Sequence, residues 1–217
     1  MARPIRKLKD IETAAVRLFA QRGVGRVTTK DISKEAGTAE GAFYRHYSGI
    51  EDLAFSLYKR EVEKFGTQLK ALLDSDISYE ERIRKSVSLF YSFFDQDRIT
   101  FAFILLSQHQ FSSDRKINPR LNPEVLVFAF IQEGIQSGAF AQADANLACA
   151  MVLGLVLTPA TRRVTGKLKG TMIDRVDSVA EACLQVLQTG GRHVDNQSNL
   201  TRKPQRARTG GHPKKHV

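Results

Sequence analysis

The sequence predicts an all-α fold, and three observations support this prediction. Apolar residues recur at the spacing of three and four that marks one face of a helix, as in Ile11, Ala14, Ala15, Leu18 and Phe19. Helix-capping residues and glycines separate these periodic stretches. Of the 217 residues, 42% are hydrophobic and only six are proline. Such a composition is typical of a globular, helix-rich protein rather than a disordered one.

The first predicted helix carries the apolar stripe that begins at Ile11, and Gly23 should end it. Ahead of this stripe, residues 1–9 hold four basic side chains without apolar periodicity. Two interpretations of this start remain open. It is either a short basic arm that lies along a nucleic acid or a solvated terminus.

Residues 28–47, TTKDISKEAGTAEGAFYRHY, predict two short helices around a tight turn. Thr28 can cap the first helix, because Asp31 follows at the spacing of a capping box. Gly37 offers the positive φ that ends a helix at little cost, and Thr38 is expected to cap the second helix. This layout is that of a helix-turn-helix, whose second helix enters the major groove of DNA.

The second helix of this motif has an inward and an outward face. Phe43 and Tyr47 are four residues apart, so they are expected to pack inward together. The other side chains then divide between the outward face (Gly41, Ala42 and Arg45) and its flanks (Tyr44 and His46).

Together with the flanking segments LFAQRGV and SGIEDL, the motif resembles the amino-terminal domain of the tetracycline-repressor (TetR) family. The resemblance covers residues 5–65. It implies a three-helix DNA-binding domain followed by a C-terminal helical domain for ligand binding and dimerisation. The family pattern often has a Lys just before the Glu-Asp-Leu segment, where it can touch a phosphate, whereas this chain has Ile50 there.

Several residues of the motif are candidates for DNA contact. Glu40 could accept a hydrogen bond from a cytosine amino group, and Arg45 could reach guanine or a phosphate. Polar residues around them would touch phosphates and set the orientation of the protein. The full set is Thr28, Thr29, Lys30, Thr38, Ala39, Glu40, Gly41, Ala42, Tyr44, Arg45 and His46. The alternative is an ordinary helical hairpin with solvated polar side chains.

The net charge of +10 is unevenly distributed along the chain. Residues 1–47 carry ten Lys/Arg against five Asp/Glu, residues 48–189 carry 16 against 17, and residues 190–217 carry seven against one. A basic end that coincides with a helix-turn-helix favours binding to phosphate. The segment 190–217 holds almost no large apolar residue, so it is predicted to be a disordered basic tail.

A fourth helix is expected next to the motif. Ser48 and Glu51 repeat the capping-box spacing, and the apolar pattern persists to about Asp74. This helix would begin beside the recognition helix and end in the next domain, with no Pro/Gly/Ser-rich linker between them. The predicted domains are therefore residues 1–50 and 51–189, joined by one continuous helix.

The helix predicted over residues 144–163 is apolar on nearly every side, which is typical of a helix buried on two flanks. One flank could face its own domain and the other a second copy of the chain. Pro159 is expected to kink or break this helix. Its most apolar run, Leu147–Leu157, is shorter than the ~20 residues that span a bilayer. No signal peptide is expected either, so the predicted location is the prokaryotic cytoplasm and its nucleoid.

Nine of the thirteen phenylalanines lie between Phe90 and Phe140. They could line a cavity for an apolar or aromatic ligand, although aromatic residues more often simply fill a core. The family resemblance implies an inducer pocket in this region. The candidate pocket residues are Phe90, Phe93, Phe94, Phe103, Gln108, His109 and Phe128.

The sequence argues against several other classes of protein. Cys149 and Cys183 lie in apolar helical stretches without partners at metal-ligand spacing, so no metal, disulfide or cofactor is expected. Phosphate-binding loops, dinucleotide-binding glycine patterns and hydrolase nucleophile motifs do not occur. We therefore do not expect an enzyme.

The predicted function is that of a ligand-responsive transcriptional regulator. A homodimer would bind a pseudo-palindromic operator, repress transcription, and be released by a small hydrophobic or aromatic effector. Two alternatives remain open. One is a constitutive DNA-binding or architectural protein whose apolar domain only dimerises, and the other is a helical small-molecule binding protein.

Overall fold

The computed structural model describes residues 4–108, 110–111 and 116–189, with side chains from Lys7 onward. In this part of the chain every regular element is a helix, which confirms the all-α prediction. Short 3-10 turns occupy Val24–Arg26, Pro119–Leu121 and Ile173–Arg175. The tail predicted over 190–217 lies outside the described residues. The α-helices are α1 (Pro4–Arg22), α2 (Thr29–Glu35), α3 (Glu40–Phe43), α4 (Ile50–Leu73), α5 (Tyr79–Gln96), α6 (Arg98–Ser107), α7 (Pro123–Gln136), α8 (Ala145–Val164) and α9 (Val176–Thr189).

The first helix begins earlier than its apolar stripe indicates. α1 starts at Pro4, so residues 4–9 are helical and do not form an arm ahead of the helix. Proline suits the first turn of a helix, because its φ is already helical and its missing N–H would have no partner there. The Arg, Lys and Leu residues that follow have high helix propensity. Ile11 and Phe19 then point into a core, as predicted.

The head (α1–α3 and the first turns of α4) is built around one apolar cluster. Phe19, Ile32, Phe43 and Leu53 are among its fully buried side chains. Phe103 of α6 completes it, with its ring centroid 5.6 Å from that of Phe19. Because α4 and α6 both enter this cluster, the apolar core of the head does not stop at residue 50.

The body (the rest of α4 and α5–α9) has two further apolar clusters. One joins α4, α5, α7, α8 and α9 around Ile131, and the other joins α5, α6, α8 and α9 around Tyr91. Gly66 allows the backbone of the 3-10 turn at Leu121 to lie close against α4, because a Cβ at this position would lie 1.8 Å from the carbonyl oxygen of Leu121. The body therefore packs against the same helix that enters the head.

α4 is one continuous helix of 24 residues from head to body, as predicted. Its cap differs from the prediction, because the N-cap is Gly49 and not Ser48. The third helical position is consequently Asp52 rather than Glu51. The Asp52 carboxylate accepts hydrogen bonds from the Ser48 N–H at 3.0 Å and from the Ser48 hydroxyl at 3.1 Å.

α8 is a single helix of 20 residues, and Pro159 lies inside it without ending it. By length and apolar composition α8 would fit a bilayer, contrary to the prediction from its most apolar run, but core helices of soluble proteins share this property. One side of α8 packs against α6, α7 and α9 through buried residues that include Ala148, Val152 and Ala160. The helix is thus anchored in the body along one side.

Candidate nucleic-acid interface and ligand cavity

A capping box fixes the entrance to α2, as predicted. The Thr28 hydroxyl oxygen accepts the Asp31 N–H at 3.1 Å. The Asp31 carboxylate accepts the Thr28 N–H at 3.0 Å and the Thr28 hydroxyl at 2.7 Å. These hydrogen bonds from Thr28 lower the pKa of Asp31. Thr28 and Lys30 are exposed beside this cap, and Thr29 is partly exposed.

The turn between α2 and α3 differs from the prediction at Thr38. Gly37 has a φ of 61°, and its N–H donates to the Lys34 carbonyl at 3.2 Å. The Thr38 N–H donates to the Ser33 carbonyl at 2.9 Å. These two bonds form the Schellman motif that closes α2, so Thr38 belongs to the end of that helix. The prediction that Thr38 caps the second helix is wrong: the N-cap of α3 is Ala39.

α3 is a single helical turn, followed by turn residues 44–46. Phe43 is fully buried and Tyr47 is half-buried, as predicted for the inward face. Ala42 is only 3% exposed, so the prediction that it faces outward is wrong. Adjacent helical residues are ~100° apart, so both can face the same core. The small Ala42 side chain also lets α3 lie close against the head.

The recognition surface consists of the exposed side chains of residues 28–30 and 39–46. The Thr29 hydroxyl donates to the Glu40 carboxylate at 2.6 Å and lies 3.4 Å from the Tyr44 hydroxyl. This network ties α2 to α3 and leaves the second Glu40 oxygen for another donor. The Tyr44 side chain is 58% exposed. The other exposed residues of this surface in α3 and around it are Ala39, Gly41, Arg45 and His46.

A cavity of about 960 Å³ lies in the body between α4, α5, α6, α7 and α8. Aromatic and aliphatic side chains make up most of its wall, including Phe65 and Phe101. Of the predicted pocket residues, the structure brings Phe90, Phe93 and Gln108 to this wall.

Three other predicted pocket residues pack elsewhere. Phe94 is buried in the cluster around Tyr91, Phe103 lies in the core of the head, and Phe128 packs against the cluster around Ile131. The reason is helical geometry, since side chains one or two positions apart face different sides of a helix. The seventh predicted residue, His109, lies outside the described residues.

The polar residues that α4 contributes to the cavity wall were not among the predicted pocket residues. Glu61, Lys64 and Gln68 line the cavity, and Lys116 adds a second cation. The Lys64 ammonium lies 5.7 Å from the centroid of the Phe93 ring and 3.8 Å from the Glu61 carboxylate. Polar residues recur at positions 61, 64 and 68 of an otherwise amphipathic helix. That spacing was the available signal for a polar stripe facing a cavity.

Burial moves the pKa of two groups of the wall further above pH 7. It raises the pKa of the Cys183 thiol to about 11 and also raises the pKa of the Tyr58 hydroxyl. The charges of the wall therefore come from carboxylates and ammonium groups. These belong to Glu61, Asp97 and Glu124, and to Lys64 and Lys116.

α6 lies between the cavity and the head. Phe101 and Leu105 line the cavity, whereas Phe103 is buried in the head. Ile104 does both, because it lines the cavity and packs against the core of the head. If a ligand in the cavity displaced α6, the movement would therefore be transmitted directly to α1, which packs against α6.

The outer side of α8 forms an exposed stripe. Leu147 is 58% exposed and Met151 is 40% exposed. Gly154, Thr158 and Arg162 continue the stripe at helical spacing. Large apolar side chains grouped on one exposed face favour contact with another protein.

Residues 11–57 match a protein-family model described as bacterial regulatory proteins, tetR family. Over 179 residues the chain is 26% identical to the fatty acid metabolism regulator protein of Bacillus subtilis (strain 168), a match that covers 81% of this chain and 92% of that relative. An HTH-type transcriptional regulator of Staphylococcus aureus is 33% identical over 89 residues, which cover 41% of this chain and 48% of that relative.

Solved structures extend the likeness through the body. The transcriptional regulator FadR from Bacillus subtilis in complex with stearoyl-CoA is 25% identical, with a TM-score of 0.71 over 82% of this chain and 97% of that one. FadR from Bacillus halodurans shares the fold at 24% identity, with a TM-score of 0.69 over 86% of this chain and 97% of that one. The family model matches the head, and the two FadR structures show that the body has the same fold as theirs. The head of this chain is therefore similar to that of the bacterial regulatory proteins of the tetR family, and its body is similar to that of the Bacillus subtilis FadR.

Proposed function

We propose that this chain is a ligand-responsive repressor. Two copies bind a pseudo-palindromic operator through their heads and leave it when a long-chain acyl compound with an anionic head group, such as a fatty acyl-CoA, fills the cavity. The observation that carries this proposal is that the cavity and the head share α4 and α6. Occupancy of the cavity and the position of the recognition surface are therefore coupled.

On DNA, the side chains of the recognition surface take roles that follow from their chemistry. Arg45 reaches a guanine edge or a phosphate, and the second oxygen of Glu40 accepts from a cytosine amino group. Lys30 binds a phosphate. Ala39 and Gly41 are small enough to admit the DNA closely. The remaining proposed contacts, to the DNA backbone, are Thr28, Thr29, Tyr44 and His46. Thr38, predicted to face base edges, is not among them, because its hydroxyl oxygen is buried.

The exposed stripe of α8 pairs two copies in this proposal. Leu147 and Met151 would be buried between the copies, and Gly154 would allow the helices to approach closely. Two-fold symmetry places two recognition surfaces one DNA turn apart, ~34 Å, or a multiple of it. The regulator works in the bacterial cytoplasm, on nucleoid DNA, and without enzymatic activity.

The class of effector follows from the wall of the cavity. A volume of about 960 Å³ lies at the upper end of the ~300–1,000 Å³ found for ligand pockets. The largely apolar wall suits a long acyl chain, and Lys64 and Lys116 could neutralise an anionic head group. The stearoyl-CoA bound to the Bacillus subtilis FadR and the name of the fatty acid metabolism regulator support the same class here.

Release requires only moderate coupling between the two sites. Allosteric coupling free energies are typically ~1–3 kcal/mol, which would lower operator affinity about 5- to 150-fold. We assign the transmission to α6, which lies between the cavity and the head, and to α4, which runs through both.

Selection of bound fragments from a random DNA pool tests the DNA part of this proposal. We expect an inverted repeat, with an affinity that falls steeply with salt as phosphate contacts release counterions. Stearoyl-CoA, butyryl-CoA and CoA are then added to the complex, and fluorescence anisotropy follows release. Only stearoyl-CoA should release the operator. Selected fragments without an inverted repeat would contradict the DNA part of the proposal. Operator affinity that is unchanged at saturating stearoyl-CoA would favour a constitutive regulator.

A further inference from the structure

Three side chains from different parts of the head meet behind the recognition surface. The Tyr47 hydroxyl donates to Glu12 Oε1 at 2.6 Å. Arg60 Nη1 donates to both oxygens of Glu12, at 3.0 and 2.9 Å. Glu12 belongs to α1, Arg60 to α4, and Tyr47 to the segment that follows α3. The Glu12 side chain is only 16% exposed, whereas the Arg60 side chain is 52% exposed, so the carboxylate is the shielded member of this charged pair.

Glu12 raises the pKa of both partners. Burial and the hydrogen bond to Glu12 raise the pKa of Tyr47, so its hydroxyl remains a donor at neutral pH. Burial alone would lower the pKa of Arg60, but attraction and hydrogen bonding to Glu12 and Glu61 together outweigh burial and raise it.

Arg60 also contacts a residue of the cavity wall. Its Nε lies 3.5 Å from Glu61 Oε1, and Glu61 Oε2 lies 3.8 Å from the Lys64 ammonium. Glu61 and Lys64 both line the cavity. At the other end, the ring of Tyr47 packs on Phe43 of α3, with 6.0 Å between the ring centroids. A continuous series of contacts thus leads from the cavity wall to the recognition surface.

We propose that Glu12 is a positioning residue for DNA recognition. Its carboxylate holds Tyr47, and with it the end of α3, in a fixed position relative to Arg60 of α4. An anionic ligand at Lys64 draws Lys64 away from Glu61, and Glu61 then competes with Glu12 for Arg60. The ligand part of this inference rests on the proposed function, whereas the positioning part depends only on DNA binding.

A double-mutant cycle on operator affinity tests the positioning part. Tyr47→Phe removes a single hydroxyl, and Arg60→Gln removes the cation. Each should lower operator affinity about tenfold, the effect of losing one hydrogen bond to a charged group. Because both act through Glu12, the double variant should be no weaker than the weaker single variant. In the Glu12→Ala protein, which lacks the oxygens that accept these hydrogen bonds, Tyr47→Phe should have no further effect.

Tyr79→Phe is the matched control, since the Tyr79 hydroxyl donates to Glu133 in the body, at 3.0 Å. It should leave operator affinity unchanged. Thermal unfolding of every variant separates positioning from loss of fold, and Tyr47→Phe, the mildest change, decides the question if the charge variants fail to fold. Additive losses, or full operator affinity in Tyr47→Phe, would overturn the inference.

Glu61→Gln tests the ligand part, with stearoyl-CoA as the probe. At stearoyl-CoA concentrations that saturate each protein, as measured by calorimetry, the variant should release the operator about tenfold less than the parent protein. Glu80→Gln, on the outside of α5, should release normally. Normal release by Glu61→Gln would overturn the ligand part. A parent protein that does not bind stearoyl-CoA would instead refute the effector class of the proposed function, and the double-mutant cycle would still decide the role of Glu12.

Discussion

At the scale of single residues, the entrance to α2 depends on the reciprocal hydrogen bonds between Thr28 and Asp31. We expect Thr28→Ala to lower the free energy of unfolding by about 1 kcal/mol, as for other N-cap residues replaced by alanine. Urea unfolding measures the change. Thr67→Ala is the control, because the Thr67 hydroxyl bonds only within its own helix, to the Glu63 carbonyl. An equal loss in both variants would show that the cap has no special role.

Asp31 makes the same cap sensitive to acid. Its pKa is lower in the folded protein than the ordinary value of 3.8. The stabilisation is therefore present above pH 3.8 and is lost as the pH falls through the lowered folded-state pKa. The gap in unfolding free energy between the parent protein and Asp31→Asn should consequently be constant near neutrality and shrink in acid. A gap that stays constant to pH 2 would contradict this assignment.

Arg45 and Lys30 should differ in what they contribute to DNA binding. Arg45→Ala should cost about 1–3 kcal/mol on the operator and relax selectivity at one base pair. Lys30→Ala should weaken binding to all sequences equally and reduce the salt slope by about one. Anisotropy on the operator and its single-base variants, at several salt concentrations, distinguishes the two effects. Unchanged affinity and selectivity in Arg45→Ala would remove that residue from the recognition surface.

At the scale of elements, α5 and α7 offer a matched pair of phenylalanines. Phe93 lines the cavity, whereas Phe128 packs against the cluster around Ile131 and is not part of the cavity wall. Phe93→Ala should weaken stearoyl-CoA binding about tenfold or more, because burial of a phenylalanine side chain contributes about 1.5–3 kcal/mol. Phe128→Ala should lower stability but leave stearoyl-CoA affinity nearly unchanged. Calorimetric titration measures both, and equal losses would contradict the position of the cavity.

The elements themselves were largely predictable, because their signals are local. Capping at Thr28 and the long apolar period of α4 each depend on residues within one or two turns. The choice between Phe93 and Phe94 as a cavity residue is different, since it depends on how α5 is rotated against its neighbours. Ala42 illustrates the same limit: its burial follows from the packing of α3 on the head, which no local pattern specifies.

Competition between two local signals explains the other misplaced cap. Thr38 has the chemistry of an N-cap, but the Schellman motif fixes its backbone at the end of α2, and its hydroxyl oxygen is buried away from the N–H groups of α3. A helix that has just ended with a Schellman motif therefore delays the start of the next one by a residue. The polar residues of α4 on the cavity wall were not predicted, for a different reason. Glu61 and Lys64 have the pattern of solvated charges on an amphipathic helix, and only the positions of the facing helices show that they line a cavity.

At the scale of the whole molecule, the proposed pairing through the exposed stripe of α8 brings two heads to the same DNA. The proposed dimer buries the exposed stripe of α8, where Leu147 and Met151 are the largest apolar side chains. Met151→Glu would place a carboxylate in that apolar contact without disturbing the buried side of the helix. A charge buried without a partner is strongly unfavourable, so the variant should be monomeric in light scattering.

Loss of pairing should have a large and specific effect on DNA binding. Two linked heads gain about 10²- to 10⁴-fold in avidity over one, so Met151→Glu should bind the full operator no more tightly than a half-site. Ile99→Glu, an equally drastic change at an exposed isoleucine at the start of α6, should remain dimeric and bind normally. If Met151→Glu stays dimeric and still distinguishes the full operator from a half-site, the pairing face lies elsewhere on the body. The two-fold arrangement of the heads would then have to be derived from another surface.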